Sequence, residues 1–103
     1  MAEVMDRLED KAGQAAQLLR LLANEKRLLV LCHLAQAGEV SVGELVGLVG
    51  LSQSALSQHL ALLREDGLVA TRREAQSIHY RLADAKAKRL LEVLYELYCA
   101  PED

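Results

Sequence analysis

Residues 51–69, LSQSALSQHLALLREDGLV, combine a helical leucine stripe with an outer face that is polar yet uncharged from residue 53 to residue 63. Leu56, Leu60 and Leu63 recur at i, i+4 and i+7, so they share one side of a helix and can be buried. An ordinary exposed helix carries Lys and Glu opposite such a stripe. Gln can bridge an adenine edge and Ser can donate or accept, which suits the DNA major groove. This stretch alone fits a DNA-reading helix and a merely polar helix equally well.

Capping signals place two helices here. Ser52 can accept a backbone N–H of the first turn, and Gly67 can take the left-handed conformation that stops a helix. Upstream, residues 41–44 (SVGE) form a capping box that opens a short helix through residue 49, and Gly50 makes a tight turn between the two helices. Two helices joined by a few residues that include a glycine predict a helix-turn-helix over residues 42–66.

A hairpin is predicted directly after these helices. Residues 68–73 and 77–82 are strand-like runs on either side of residues 74–76 (EAQ). In the second run, apolar side chains alternate with His79 and Arg81, the period of a half-buried strand. Residues 68–82 therefore predict a wing, and the fold class is mainly α with a small β-hairpin wing, a winged helix-turn-helix.

Length and composition fit one domain. At 103 residues and 51% apolar content, the chain can form one core, and we expect a single domain over residues 1–103. The N-terminus is acidic and amphipathic, without a signal-peptide core, and no segment is long enough to cross a membrane. We therefore expect a soluble cytoplasmic protein that needs no membrane. No arrangement of nucleophile, base and orienting group is visible, so an enzyme is not expected.

The charge distribution matters more than the formal net charge of −3. DNA-binding domains are usually basic, but affinity depends on the groups that meet phosphate. Acidic residues crowd both ends of the chain, whereas the segment from 52 to 82 leans weakly positive. Its basic side chains are Arg64, Arg72, Arg73 and Arg81, against Glu65, Asp66 and Glu74. We expect few phosphate contacts per protomer, and hence a dimer.

Two terminal helices, residues 1–22 and 84–100, are predicted to supply that dimer interface. A separate helix, capped by Asn24 and running through Ala35, follows the first of them. The last helix has an apolar arc wider than one small domain needs to cover, although burial within one chain is the alternative. A two-fold homodimer would place two reading helices one DNA turn apart. The expected dimerisation residues are Leu8, Ala15, Leu18, Leu19, Leu22, Leu91, Leu94, Tyr95 and Tyr98.

The segment from residue 18 to residue 82 resembles the ArsR/SmtB family of winged-helix repressors. The resemblance rests on LLANEKRLLVLCHL, VGELVGLVGLSQSALSQHLALLREDGLV and ATRREAQSIHYRL, with SQSALSQHL as its most specific part. It implies that operator DNA is bound in the major groove by residues 53–64, with the wing on the backbone or minor groove. The implied contacts are Ser52, Gln53, Ser54, Ser57, Gln58, His59, Arg64, Arg72, Arg73 and Gln76. For His59, a packed structural role is the alternative.

Departures from the family's metal sensors are equally informative. Some members carry Cys-x-Cys in the helix before the reading helix, where this chain has residues 44–48 (ELVGL). Others place Asp and His ligands along the terminal helix, and no histidine lies between residues 84 and 99. Without thiolate or imidazole ligands at workable spacing, we expect neither a metal site nor another cofactor.

Cys32 and Cys99 are the only cysteines. Cys32 lies on the apolar side of its helix and could be a small core residue. Cys99 ends the terminal helix and is expected to be accessible, in a compartment where structural disulfides are rare. Two thiols without a CxxC motif suggest reversible sulfur chemistry.

The VLCHL and LYELYCAPED contexts resemble the subgroup of this family that senses persulfides and other reactive sulfur species. That resemblance implies a dithiol repressor whose Cys32 and Cys99 become linked by a disulfide or polysulfide, with loss of DNA affinity. Low-molecular-weight persulfides or polysulfides would be the inducers. The alternatives are an activator that displaces a silencing protein, or a general redox or haem-responsive regulator that uses the same cysteines.

Overall fold

A computed structural model of the protein describes residues 2–99, and it is mostly helical with one small sheet. The elements in chain order are α1 (Ala2–Leu22), α2 (Glu25–Ala37), β1 (Glu39–Ser41), α3 (Val42–Val49), α4 (Gln53–Glu65), β2 (Val69–Glu74), β3 (Ser77–Leu82) and α5 (Ala85–Tyr98). The predicted fold class, a winged helix-turn-helix, is confirmed. The residue at position 100, which the predicted last helix included, lies outside the described part of the chain.

The caps of α3 and α4 confirm the predicted helix-turn-helix. The Ser41 side chain accepts from the Glu44 N–H while the Glu44 side chain reaches back to Ser41, which is a complete capping box. The Ser52 hydroxyl accepts from the N–H of Ala55 at 3.2 Å and so begins α4. Gly50 ends α3 in the left-handed conformation, with φ 68°, which turns the chain into α4 at no steric cost.

Helix α2 begins as predicted but ends two residues later than the Ala35 boundary. Asn24 accepts from the N–H of Arg27 at 3.0 Å, which confirms it as the N-cap. The helix continues to Ala37 and stops at Gly38, whose φ is 86°. Because an alanine and a glutamine are good helix formers, nothing stops α2 before the glycine.

The wing has one strand more than predicted. β2 and β3 pair antiparallel through a two-residue turn, with Glu74 opposite Ser77, and β1 pairs with the other edge of β3. The strand order is β1-β3-β2. The predicted alternation in β3 holds only in part, because His79 lies between Ser41 and Arg72 on its two neighbouring strands and is half-buried.

The core is formed by apolar side chains of every helix and of the sheet. Leu56, Leu60 and Leu63 of α4 are fully buried, as their spacing predicts. Burying one such side chain contributes about 1.5–3 kcal/mol, so the stripe fixes α4 firmly against the rest of the domain. α2 contacts both α4, the second helix of the helix-turn-helix, and the terminal helix α5.

The terminal helices leave apolar side chains uncovered. Most of α1 is exposed, including Leu8 and Leu19, and Tyr98 of α5 is 82% exposed. Leu22 and Leu91, which we expected at a dimer interface, instead have less than a tenth of their surface exposed and pack in the protomer's own core. Little of either side chain is therefore available to a partner in this protomer. Within residues 2–99, no helix is long and apolar enough to span a bilayer.

Candidate nucleic-acid interface and thiol pair

The outer face of α4 presents the polar side chains that its sequence suggested. Gln53, Ser54, Ser57 and Gln58 are all exposed. Ser52 is exposed too, but its hydroxyl already serves as the helix cap and lies 3.4 Å from the Ser54 hydroxyl. The other four offer donors and acceptors suited to base edges.

His59 of α4 is half-buried. Its Nδ1 atom is buried and has no hydrogen-bond partner among the described residues. A buried imidazole nitrogen without a partner costs free energy. The DNA contact and the packed structural role both stay predictions for this ring.

Arg72, expected to be available at the wing, is held by two carboxylates. Its Nη2 donates to Glu39 Oε1 at 2.6 Å, and its Nη1 donates to Glu74 Oε2 at 2.8 Å. The hydrogen bond from Arg72, together with its charge, lowers the pKa of the Glu39 carboxyl. Arg72 thus requires an exchange of partners before it can reach a phosphate. Arg64, Arg73 and Gln76 are exposed.

Sequence reasoning missed Glu39. It lies on the three-residue strand β1, too short for a recognisable pattern, and 33 positions before Arg72 in the chain. The pairing exists because β1 and β2 both flank β3. No local signal in the sequence reports such a contact.

Cys32 lies in α2, Cys99 ends α5, and these two helices contact each other. Cys32 is half-buried and packs against the core, whereas Cys99 is exposed at the C-terminal cap of α5. Burial raises the pKa of the Cys32 thiol, and the charge of a Cys99 thiolate raises it further. An effect of this kind requires the two groups to be near neighbours. Both cysteines are free thiols.

We expect the two thiols to differ in reactivity and in pH profile. N-ethylmaleimide should modify Cys99 at least about tenfold faster than Cys32 at pH 7, because thiolate is the nucleophile and burial disfavours it at Cys32. The Cys32 rate should continue to rise above about pH 8.5, where a free cysteine peptide is already half ionised. Peptide mapping of timed samples between pH 6 and pH 10 gives both rates. If the modification rate of Cys32 levels off at the same pH as that of a free cysteine peptide, the raised pKa of the Cys32 thiol is contradicted.

An open cavity of about 420 Å³ lies beside Cys32, between α2 and α5. Leu91 and the Tyr95 ring form its apolar wall, and Gln36, Glu92 and Glu96 give it a polar rim. The cavity gives a small molecule a route to the half-buried thiol. Its lining was not foreseen, because it combines one face of α2 with one face of α5.

The described residues contain no cluster of three or more His, Cys, Asp or Glu side chains that could hold a metal ion. The two thiols are therefore not accompanied by the ligands of a structural zinc site in this part of the chain.

A helix-turn-helix with a three-stranded wing and an uncharged polar face on α4 is the architecture of winged-helix transcriptional regulators. The model of the arsR family of bacterial regulatory proteins matches residues 24–71. The chain is 53% identical to the biofilm growth-associated repressor of Agrobacterium fabrum, over 93% of this chain and 81% of that one. It is 50% identical to the transcriptional activator HlyU of Vibrio cholerae, over 92% of this chain and 87% of that one.

The structural comparison agrees. Reduced HlyU from Vibrio cholerae superposes with a TM-score of 0.86 at 51% identity, covering 91% of this chain and 98% of that one. The protein belongs to the arsR family of bacterial regulators.

Proposed function

We propose that this protein is a dithiol transcriptional repressor that binds operator DNA when reduced and releases it when reactive sulfur species link Cys32 to Cys99. Helix α4 enters the major groove with its exposed glutamines and serines, and the wing lies on the backbone or in the minor groove. The observation that carries the sensing part is the contact between α2, which contains Cys32, and α5, which ends at Cys99.

A homodimer completes the binding unit. Helices α1 and α5 expose several apolar side chains, among them Leu8, Leu19, Tyr95 and Tyr98. Exposed apolar surface of this extent indicates an interface with a partner. Ala15, which is exposed, and Leu18 and Leu94, which are half-buried, complete the surface. A two-fold axis through this surface gives two copies of α4, which compensates for the weak positive charge of each protomer. The protein acts in the cytoplasm, where its operator lies.

The sulfur chemistry needs only a persulfide as oxidant. The Cys99 thiolate attacks the outer sulfur of a persulfide RSSH, forming Cys99–S–SH and releasing RS⁻. Cys32 then attacks the inner sulfur of Cys99–S–SH; the disulfide forms, and hydrosulfide leaves with the Cys32 proton as H₂S. If both thiols carry an extra sulfur first, their reaction releases H₂S and leaves a three-sulfur bridge. Each inserted sulfur adds about 2 Å of reach.

The bridge would act on DNA binding through α2. Cys32 is in α2, which contacts the reading helix α4 on one side and α5 on the other. A bridge that fixes α5 against α2 therefore changes the position of the two α4 helices relative to the dimer surface. A coupling free energy of about 1–3 kcal/mol changes affinity by about 5–150-fold, which is enough for regulation.

Intact mass after treatment tests the sensing chemistry. Glutathione persulfide should give a crosslinked protomer in which bridges with added sulfur, in steps of about 32 Da, accompany the plain disulfide, whereas peroxide should give at most the loss of about 2 Da. Equal loss of about 2 Da with both reagents would instead identify a general redox switch. Tight haem binding by the reduced protein would identify a haem-responsive regulator.

The ion pair of Arg72 predicts a gain of affinity on substitution of Glu39. Glu39→Gln removes the shortest contact of the Arg72 guanidinium and a negative charge from the wing, so Arg72 can turn to phosphate. We expect operator affinity to rise about threefold and the salt dependence to steepen by about one unit per protomer. Fluorescence anisotropy at several salt concentrations measures both quantities. Glu9→Gln on α1 is the matched control, and an equal gain from it would refute a role for Arg72.

An activator is the second candidate. The relative HlyU is a transcriptional activator, and this chain matches it nearly as well as it matches the repressor. Such a protein would bind DNA with the same α4 face and displace a silencing protein. Deletion in the native host separates the two: target transcripts rise on loss of a repressor and fall on loss of an activator.

A further inference from the structure

The cavity beside Cys32 carries negative charge at its rim. Glu92 and Glu96 are four positions apart on α5, so both carboxylates stand on the same side of the helix as the cavity. Cys99 lies three positions beyond Glu96 and four beyond Tyr95, on the next turn of that side. A sulfur donor that reaches Cys32 through the cavity therefore passes these two carboxylates.

Nothing in the described lining compensates for this charge. The residues around the cavity include neither lysine, arginine nor histidine. Arg89 is the nearest paired cation, with its Nη1 3.8 Å from Glu92 Oε2, and its side chain is 77% exposed. An ion pair of that length in water stabilises little and leaves the carboxylate charge largely in place.

We infer that the Cys32 cavity selects low-molecular-weight persulfides that carry an ammonium group over those that carry only carboxylates. This inference rests on the proposed function and names its inducer class. The carboxylates of Glu92 and Glu96 attract the ammonium group. An anionic donor is repelled on entry and again as its leaving thiolate forms beside the same two carboxylates.

The selection acts mainly at Cys32. Cys99 is exposed to solvent, so a donor can approach it from many directions, whereas Cys32 is half-buried and is reached through the cavity. The reaction at Cys32 transfers one sulfur: its thiolate attacks the outer sulfur of RSSH, Cys32–S–SH forms, and RS⁻ leaves. The charge on the organic group R of the donor therefore sets the rate at which Cys32 acquires the extra sulfur that a three-sulfur bridge needs.

The Cys99→Ser variant isolates this step. We expect it to take up sulfur from cysteamine persulfide about tenfold faster than from the similarly sized persulfide of 3-mercaptopropionate, at low ionic strength. Both rates, followed by intact mass, are divided by those of an uncharged cysteine peptide to remove differences in intrinsic reactivity. The preference should shrink severalfold at about 0.5 M salt, where charges are screened within a few ångströms.

Variants that replace carboxylates with amides test whether Glu92 and Glu96 cause the donor preference. In the Cys99→Ser background, Glu92→Gln with Glu96→Gln should abolish the preference, while Glu9→Gln with Glu65→Gln removes the same charge elsewhere and should leave it intact. All four positions are exposed, so both variants should fold. If the Cys99→Ser variant shows no preference, or if the cavity substitutions leave its preference unchanged, the inference is overturned. The proposed function is not affected by either result. Failure of Cys32 to take up sulfur from either donor also overturns the inference, and the proposed function fails as well only if the unmodified protein forms no bridge between Cys32 and Cys99 with these donors.

Discussion

Cys32→Ser and Cys99→Ser should each bind operator as tightly as the unmodified protein and fail to release it after persulfide treatment. Serine preserves the size of the side chain, and neither thiol makes a hydrogen bond through its sulfur on which the described fold depends. The unmodified protein should lose about 5–150-fold in affinity under the same treatment. Anisotropy of a labelled operator, titrated before and after treatment, measures both states.

The two variants also check one another. Each should still acquire sulfur on its remaining thiol, visible as added mass, because only the second, bridge-forming step is lost. Retained DNA binding with added mass shows that modification of one thiol is not enough. Release of DNA by either modified variant would refute bridging as the switch.

Gln58→Glu should weaken operator binding by at least about 30-fold. Gln58 is exposed on the reading face of α4, and glutamate there loses the amide donor and adds a negative charge facing DNA. A good base contact is worth about 1–3 kcal/mol, and a dimer loses two of them. Binding titrations with operator and with unrelated DNA, at one salt concentration, separate lost specificity from general repulsion.

The matched control is Gln14→Glu on α1. It makes the same chemical change at an exposed position away from the reading face. It should leave operator affinity within about twofold, since a single remote charge is screened beyond about 8 Å at physiological salt. Equal losses from the two substitutions would mean that net charge, and not α4, governs binding.

Features that depend on nearby residues were predictable from the sequence. The capping box of Ser41 and Glu44, the cap at Ser52 and the left-handed Gly50 each involve a few consecutive positions. The buried stripe of α4 follows from helical periodicity alone. These features were enough to predict the helix-turn-helix, because its two helices and its turn are contiguous in the chain.

Features that depend on distant residues were not predictable. The pairing of Glu39 with Arg72 and the position of Cys32 beside Cys99 arise only when separate elements pack together. An apolar stripe, similarly, does not say whether it meets its own core or a second copy. Leu22 and Leu91 therefore proved to be core residues, while their neighbours Leu19 and Tyr95 stay exposed.

The central claim is that a bridge between Cys32 and Cys99 lowers the affinity of this protein for DNA. The most direct measurement uses purified, persulfide-bridged protein of verified intact mass, titrated against operator before and after dithiothreitol treatment. The account predicts affinity at least about fivefold weaker for the bridged form, with full recovery once reduction frees both thiols. Equal affinity of the bridged and reduced forms would contradict it.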